Sequence, residues 1–221
     1  MQTEQITYQQ LVETANDIIF TTDINGRLTY VNPAAVHITG FSESDLIGKR
    51  FLELISPDYR DEALAFFTRQ AEEKIQATYF EYPIILKNEE SIWLAQNTQL
   101  VFAGDGAPIA FQAVARDITS RKQVEQQLEI QNTALQAAAN GITITDKEGK
   151  ILWVNQAFTQ LTQYSLEEAI GKNMRILKSG VQGAAYYQNL WETISSGNVW
   201  QGEIINRRKD GSLYVEEMTI T

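Results

Sequence analysis

Residues 19–49, IFTTDINGRLTYVNPAAVHITGFSESDLIGK, decide the fold, because residues 142–172, ITITDKEGKILWVNQAFTQLTQYSLEEAIGK, repeat them 123 positions later without a gap. Asp23, Gly26, Val31, Asn32, Ala34, Thr39, Ser42, Ile47, Gly48 and Lys49 all recur at that offset. A period this long is domain-sized, so the chain holds two copies of one fold rather than a solenoid of short repeats. In each copy a short apolar run ends in Asp, a Gly-containing turn follows (DINGR, DKEGK), and a second apolar run ends in Asn. Glycine supplies the positive φ that such a turn needs, which makes the unit a β-hairpin. The serines of SESD and SLEE stand at helix N-caps, with acidic residues in the first turn where the helix dipole favours them.

Outward from the repeat, SPDYRDEALAFFTRQAEE (56–73) and AAYYQNLWETISSG (184–197) have helical apolar spacing. In ATYFEYPIILK (77–87), Phe80, Tyr82, Ile84 and Leu86 alternate onto one face, and Pro83 demotes the run to an edge strand. SIWLAQNTQLVF (91–102) and PIAFQAVARDI (108–118) follow, joined by the turn AGDGA. The expected fold is α+β: in each copy a five-stranded antiparallel sheet with helices over one face. Thr221 falls inside what is expected to be the fourth strand of copy two, so that copy is read as truncated before its last strand. The expected boundaries are an N-terminal helical segment at 1–16, copy one at 17–118, a linker helix at 119–140 and copy two at 141–221. The linker, within DITSRKQVEQQLEIQNTALQAAAN, has no Gly or Pro. Val124, Leu128, Leu135 and Ala138 lie at coiled-coil spacing around a polar Gln131, which points to a dimerising helix, the alternative being a solvated spacer.

Composition sets limits. Eighteen Lys and Arg against 28 Asp and Glu leave a net charge of −10, which disfavours nonspecific nucleic-acid binding and adhesion to anionic membranes. No apolar run approaches the ~20 residues a bilayer span needs. Zero cysteines exclude disulfides, thiolate metal sites and cysteine nucleophiles, and are compatible with the cytoplasm. His37, the single histidine, is expected on the short helix after Asn32 as a partly exposed side chain. Trp93 and Phe111 read as core.

With these residues in view, both copies resemble PAS domains, the sensor modules of bacterial signalling proteins. The hairpin with VNPA, the TGFSESDLIGK turn and the terminal RDITSRKQ of copy one carry the resemblance, which covers nearly the whole chain. It implies a regulatory input region of a cytoplasmic signalling protein and not an enzyme. Such a region passes its state through a linker helix to an effector domain such as a histidine kinase or a cyclic-dinucleotide enzyme. It also implies a homodimer formed through the linker or the N-terminal helix, and no nucleic-acid or membrane partner.

The stretch GKNMRILKSG (171–180) resembles the GRNCRFLQG motif of LOV photosensors, the flavin-binding PAS subfamily, and NRRKDGSLYVEEMTI (206–220) resembles their NYRKDGTPFWNLLTI. Residues 190–214 also resemble the flavin-bearing PAS domains of redox sensors that control nitrogen fixation and methane oxidation. The resemblance implies FAD or FMN in copy two and no cofactor in copy one. It places Asn173 and Arg175 at the flavin and its phosphate tail, and Asn206 at the isoalloxazine edge. Glu216 replaces a second LOV amide and Met174 replaces the photoreactive cysteine. A thioether has no ionisable proton and forms no thiol adduct, which turns the reading from covalent photoswitch to redox sensing. Phosphate suits a guanidinium fork, a ring edge suits an amide that both donates and accepts, and Ile144, Leu161, Ile176, Leu177 and Ile204 are candidates for an apolar slot. Two readings stay open at several positions. Lys172, Arg175 and Lys178 form either a phosphate-facing cluster or a solvated face, Asn206 either a ligand contact or a backbone partner, and Trp200 either a cofactor contact or, like Trp191, core and rim. A cofactor-free dimerisation scaffold and a flavin oxidoreductase are the competing functions. Copy one has GKRFLELISP in place of the asparagine–arginine motif, and is read as binding a small metabolite or only relaying and dimerising.

Overall fold

The structure is a computed structural model and describes residues 9–221. The chain divides into two compact units within one helix, between Gln126 and Gln127. Of the expected N-terminal helix, residues 1–8 lie outside the described residues, and residues 9–13 are helical (α1). Unit one continues with β1 (Ile18–Asp23), β2 (Leu28–Val31), α2 (Pro33–Thr39), α3 (Glu43–Leu46), α4 (Arg60–Glu72), β3 (Ala77–Ile85), β4 (Ser91–Phe102) and β5 (Pro108–Asp117). The five strands pair antiparallel in the order β2-β1-β5-β4-β3. Pro83 lies on the edge strand β3, where its missing N–H breaks no ladder bond.

After α5 (Thr119–Ala137), unit two holds β6 (Thr143–Thr145), β7 (Ile151–Val154), α6 (Gln156–Thr162), α7 (Leu166–Ala169), α8 (Ala184–Ser195), β8 (Trp200–Arg207) and β9 (Leu213–Ile220). Its strands form two separate sheets, β6-β7 and β8-β9, the counterparts of β1-β2 and β3-β4. Among the described residues no strand of unit two corresponds to β5.

The repeat in sequence is a repeat in hydrogen bonding. Asp23 Oδ1 accepts from the N–H groups of Asn25 and Arg27, and Asp146 Oδ1 from those of Glu148 and Lys150, closing the two hairpin turns over Gly26 (φ 78°) and Gly149 (φ 77°). Ser42 with Asp45, and Ser165 with Glu168, form reciprocal capping boxes at α3 and α7. The most consequential pair is Asn32 and Asn155, 0% and 1% exposed. Asn32 Oδ1 caps α2 through Ala35 N–H (3.1 Å) and holds Ile19 N–H (3.0 Å), while its Nδ2 donates to the carbonyls of Val12 (3.2 Å) and Asp17 (3.0 Å). Asn155 makes the same set: Oδ1 accepts from Phe158 (3.0 Å) and Ile142 (2.8 Å), and Nδ2 donates to Leu135 (3.2 Å) and Asn140 (2.9 Å). Leu135 and Asn140 lie 123 positions after Val12 and Asp17. The C-terminal end of α5 is therefore to copy two what α1 is to copy one.

The other end of α5 is fastened to copy one. Glu81 on β3 accepts from Arg121 (2.5 Å), Lys122 (2.8 Å) and the hydroxyl of Tyr79, and these cations and hydrogen bonds hold its carboxyl down at about 2. Lys122 also lies 5.0 Å from the centroid of the Trp93 ring, and Trp93 N–H donates to Thr119 Oγ1 (3.0 Å). Trp93 is thus half-buried beside the helix start rather than in the core, because alternation along β4 buries Leu94, Gln96 and Thr98 and turns Trp93 to the opposite face. Phe111 is buried as expected, and His37 is exposed on α2.

Asn32→Ala is expected to lower stability by about 2–4 kcal/mol, a lost cap plus backbone groups left unpaired in the interior. Asn32→Asp keeps the accepting Oδ1 but sets an acceptor against two carbonyls. Its urea midpoint should fall at least as far as that of the alanine variant and drop further with rising pH, and a midpoint equal to wild type would contradict the assignment.

Candidate functional site

The two copies share their hairpins, turns and caps but differ in the side chains that face inward. In unit one the helices and sheet close over phenylalanines. Phe51 meets Phe67 edge-on at 5.1 Å between centroids and Phe20 at 6.5 Å, while Phe80 stacks on Phe66 at 4.6 Å. The cavity left there is about 40 Å³, apolar, and lined by Ile18, Phe20, Phe51, Tyr82, Ile84 and Leu94 among others.

Register assigns the counterparts in unit two. Phe20 pairs with Val31 as Thr143 pairs with Val154. Phe51 N–H donates to Gly26 O as Met174 N–H donates to Gly149 O. Phe67 on α4 lies 123 positions before the buried Leu190 of α8. Three ring positions therefore become Thr143, Met174 and Leu190.

The hairpins compare residue by residue as well. Ile55 bridges Ile84 and Lys178 bridges Asn206, while the cross-strand pairs Ile84↔Ile92 and Tyr82↔Leu94 become Asn206↔Tyr214 and Ile204↔Glu216. The inner-face positions Ile84, Ile92 and Leu94 of copy one are thus Asn206, Tyr214 and Glu216 in copy two. In exchange, the buried polar residues Tyr82, Gln96 and Thr98 of copy one are replaced by Ile204, Met218 and Ile220. In copy one those polar groups satisfy one another: Tyr82 hydroxyl donates to Gln96, Gln96 Nε2 to Thr98 Oγ1 (2.6 Å), and Thr78 Oγ1 to Gln70 Oε1 (2.8 Å). In copy two the account is left open. Asn206, 4% exposed, donates from Nδ2 to Glu216 Oε1 (2.6 Å), while the Tyr214 hydroxyl, 6% exposed as a residue, has no hydrogen-bond partner. Burial raises the Glu216 carboxyl above its ordinary value against the opposing bond from Asn206. Burial, and then the nearby Glu216, push the Tyr214 phenol up, against the opposing pull of the neighbouring Asn206 amide and Arg208.

The other expected site residues divide. Asn173 caps the 3₁₀ turn Met174–Leu177, with Oδ1 accepting from Arg175 N (3.1 Å) and Nε (2.9 Å) and Nδ2 donating to Glu148 O (2.7 Å). Arg175 is exposed, and among the described residues its guanidinium meets no carboxylate. Lys178 Nζ lies 4.6 Å from the centroid of Tyr187, whose hydroxyl is also without a partner. Met174 packs on the small core of Ile151, Val154, Phe158, Ala169 and Leu177. Trp200 is core: 6% exposed, edge-on to Tyr186 at 5.7 Å, its indole lying over Gly202, where a Cβ would come within 2.8 Å of the ring. Ile144 does not line the slot. It is 48% exposed, on the strand face opposite to half-buried Thr143. Leu177 and Ile204 are buried and Leu161 and Ile176 partly so.

Tyr214 and Tyr187 were not singled out from the sequence. For Tyr214 a signal existed: eight positions after Asn206 across a turn, it falls on the same sheet face.

Residues 7–118 match the family model described as PAS fold, and residues 139–221 match one described as PAS domain. A nitrogen fixation regulatory protein of Klebsiella oxytoca is 36% identical over 89 residues, 40% of this chain and 18% of that protein. A blue-light photoreceptor of Listeria monocytogenes is 31% identical over 97 residues, 42% of this chain and 38% of that protein. A solved PAS domain from Colwellia psychrerythraea aligns with a TM-score of 0.50 at 17% identity, covering 53% of this chain and 98% of that one, a likeness of fold. The chain spans less than a fifth of the nitrogen fixation regulator and less than two fifths of the photoreceptor.

Replacing Asn206 and Glu216 together by the residues of copy one, Asn206→Ile with Glu216→Leu, removes both partners of a buried polar pair at once. The ligand-free chain should then keep its urea midpoint or gain, whereas Asn206→Ala alone should lose about 1–3 kcal/mol. A double variant less stable than either single one would show that the pair stabilises the domain by itself.

Proposed function

The chain belongs to the PAS family, and from that premise we propose that it is the sensory input region of a signalling protein, with a flavin, FAD or FMN, held by copy two. The exchange of side chains under the sheet carries this reading. Where copy one spends three phenylalanine rings on its own interior, copy two has Thr143, Met174 and Leu190, and it sets Asn206, Tyr214 and Glu216 where copy one is apolar. A buried hydroxyl without a partner costs free energy, and a ligand that supplies the partner recovers it. Asn206 both donates and accepts, which suits the edge of a heterocycle, and Arg175 offers a guanidinium fork to phosphate. A bound flavin supplies a ring whose hydrogen bonding changes on reduction. This chain's part is to hold that ring, keep water from it and respond at the sheet. It does no chemistry of its own.

Expected on reconstitution with excess FAD or FMN and desalting is an absorbance band at about 450 nm that stays with the protein. Arg175→Ala and Asn206→Ala should each weaken retention by about 1 kcal/mol, the charged contact of Arg175 being reduced because that side chain is exposed. A colourless protein after desalting would remove flavin from the reading. Blue light should leave no thiol adduct, the chain having no cysteine.

A second proposal concerns α5. The helix runs 19 residues without burying one, and Val124 (60% exposed), Leu128 (59%) and Leu135 (40%) mark its apolar seam. A helix of that length draws little stability from propensity alone, so we infer a second copy of α5 along the seam, in register at Gln131. Leu128→Asp with Leu135→Asp should shift the sedimenting species to monomer, and an unchanged dimer would discard the seam.

A further inference from the structure

We propose that copy two reads the edge of its ligand with Glu216 in the proton-carrying form, so that binding takes up one proton. This rests on the flavin reading above. The imide edge of a flavin ring offers an N–H between two carbonyls, so the protein must supply an acceptor and two donors. Asn206 provides one donor and one acceptor. Its Nδ2 lies 2.6 Å from Glu216 Oε1, which puts the two groups side by side on the inner face of β8 and β9. A neutral carboxyl has one O–H donor and one carbonyl acceptor, the same complement as an amide, whereas a carboxylate is acceptor-only and would meet a ring carbonyl with like partial charge. Glu216 can therefore stand in for an amide only while it holds a proton.

The surroundings favour that form. Across from Glu216 lies Ile204, and its same-face neighbours along β9 are Tyr214 and Met218. Among the described residues no cation pairs with it. The charged groups nearby are engaged elsewhere: Arg208 lies 4.7 Å from the Tyr214 centroid and donates to Leu161 O, and Lys178 lies over Tyr187. Tyr214 is the other group facing Glu216 that could titrate, and its phenol is pushed up, away from the range in which a carboxyl titrates.

The linkage has a definite sign. A ligand that covers Glu216 and needs its proton raises the carboxyl's pKa further. Binding is then at full strength below the pKa of the free chain and weakens as pH rises through the interval between the free and bound values, by up to about tenfold per pH unit for one proton. The test titrates FAD into the full chain from about pH 5 to pH 9 and repeats it with Glu216→Gln, which keeps donor and acceptor but cannot ionise. FAD serves better than FMN, whose phosphomonoester titrates near pH 6. Expected are a wild-type affinity that falls at least about tenfold across the range, a Glu216→Gln affinity that is flat, and heats of wild-type binding that differ between buffers by the uptake of one proton. A flat wild type, or the same slope in Glu216→Gln, would overturn the proposal while leaving the flavin in place. If neither protein binds FAD at any pH, the flavin reading fails and takes this inference with it.

Discussion

One buried amide per copy holds each unit in place. Asn32 and Asn155 satisfy, with a single side chain, the N-terminus of a helix, the N–H of the first strand and two carbonyls of the segment that leads into the domain. An aspartate lacks the donor and a leucine lacks everything, so the geometry admits little else. Because one of those carbonyls in each copy, that of Val12 or Leu135, belongs to a helix end and the other to the connection after it, the same bonds decide where an incoming helix meets its domain. In copy two that incoming helix is α5, whose other end is tied to copy one through Glu81, Arg121 and Lys122. The Glu81 cluster is an electrostatic anchor. Its carboxyl titrates well below the ordinary value of 4.5, so its contribution is complete above that value and is lost as pH falls from there toward about 2.

The two copies then make opposite use of one scaffold. Copy one closes its interior with phenylalanines and a polar network in which Tyr82, Gln96, Thr98, Thr78 and Gln70 answer one another. Such an interior gains its stability from dispersion and satisfied bonds and leaves space for little besides itself. Copy two has smaller side chains at the ring positions and a carboxyl, an amide and a phenol at positions that copy one keeps apolar. Groups of that kind are tolerated inside a domain when something completes their hydrogen bonding. Differences at these inner positions change what each interior can satisfy while the hairpin turns and helix caps that the copies share stay the same.

The helix between them follows from the same economy of contacts. It buries no residue of its own, yet both ends are fastened. Its stability therefore has to come from its anchors and from whatever covers its apolar seam.

Much of the fold was legible in the sequence, for reasons that act over a few residues. The Asp–Gly turns, the Ser capping boxes, the edge-strand proline and the alternation in β3 are local rules, and a gapless repeat of 31 residues stated the duplication directly. The resemblance of 171–180 and 206–220 to flavin-binding relatives likewise drew attention to Asn206 and Glu216. Their neighbourhood was not legible. That Asn206 and Glu216 touch, that Tyr214 is left without a partner, that Trp200 is core, that Ile144 faces outward and that Trp93 serves the helix start all depend on strand register and on which sheet face meets the helices. A period-2 pattern is unchanged when the two faces are exchanged, and only the three-dimensional packing of distant segments decides which face is the interior.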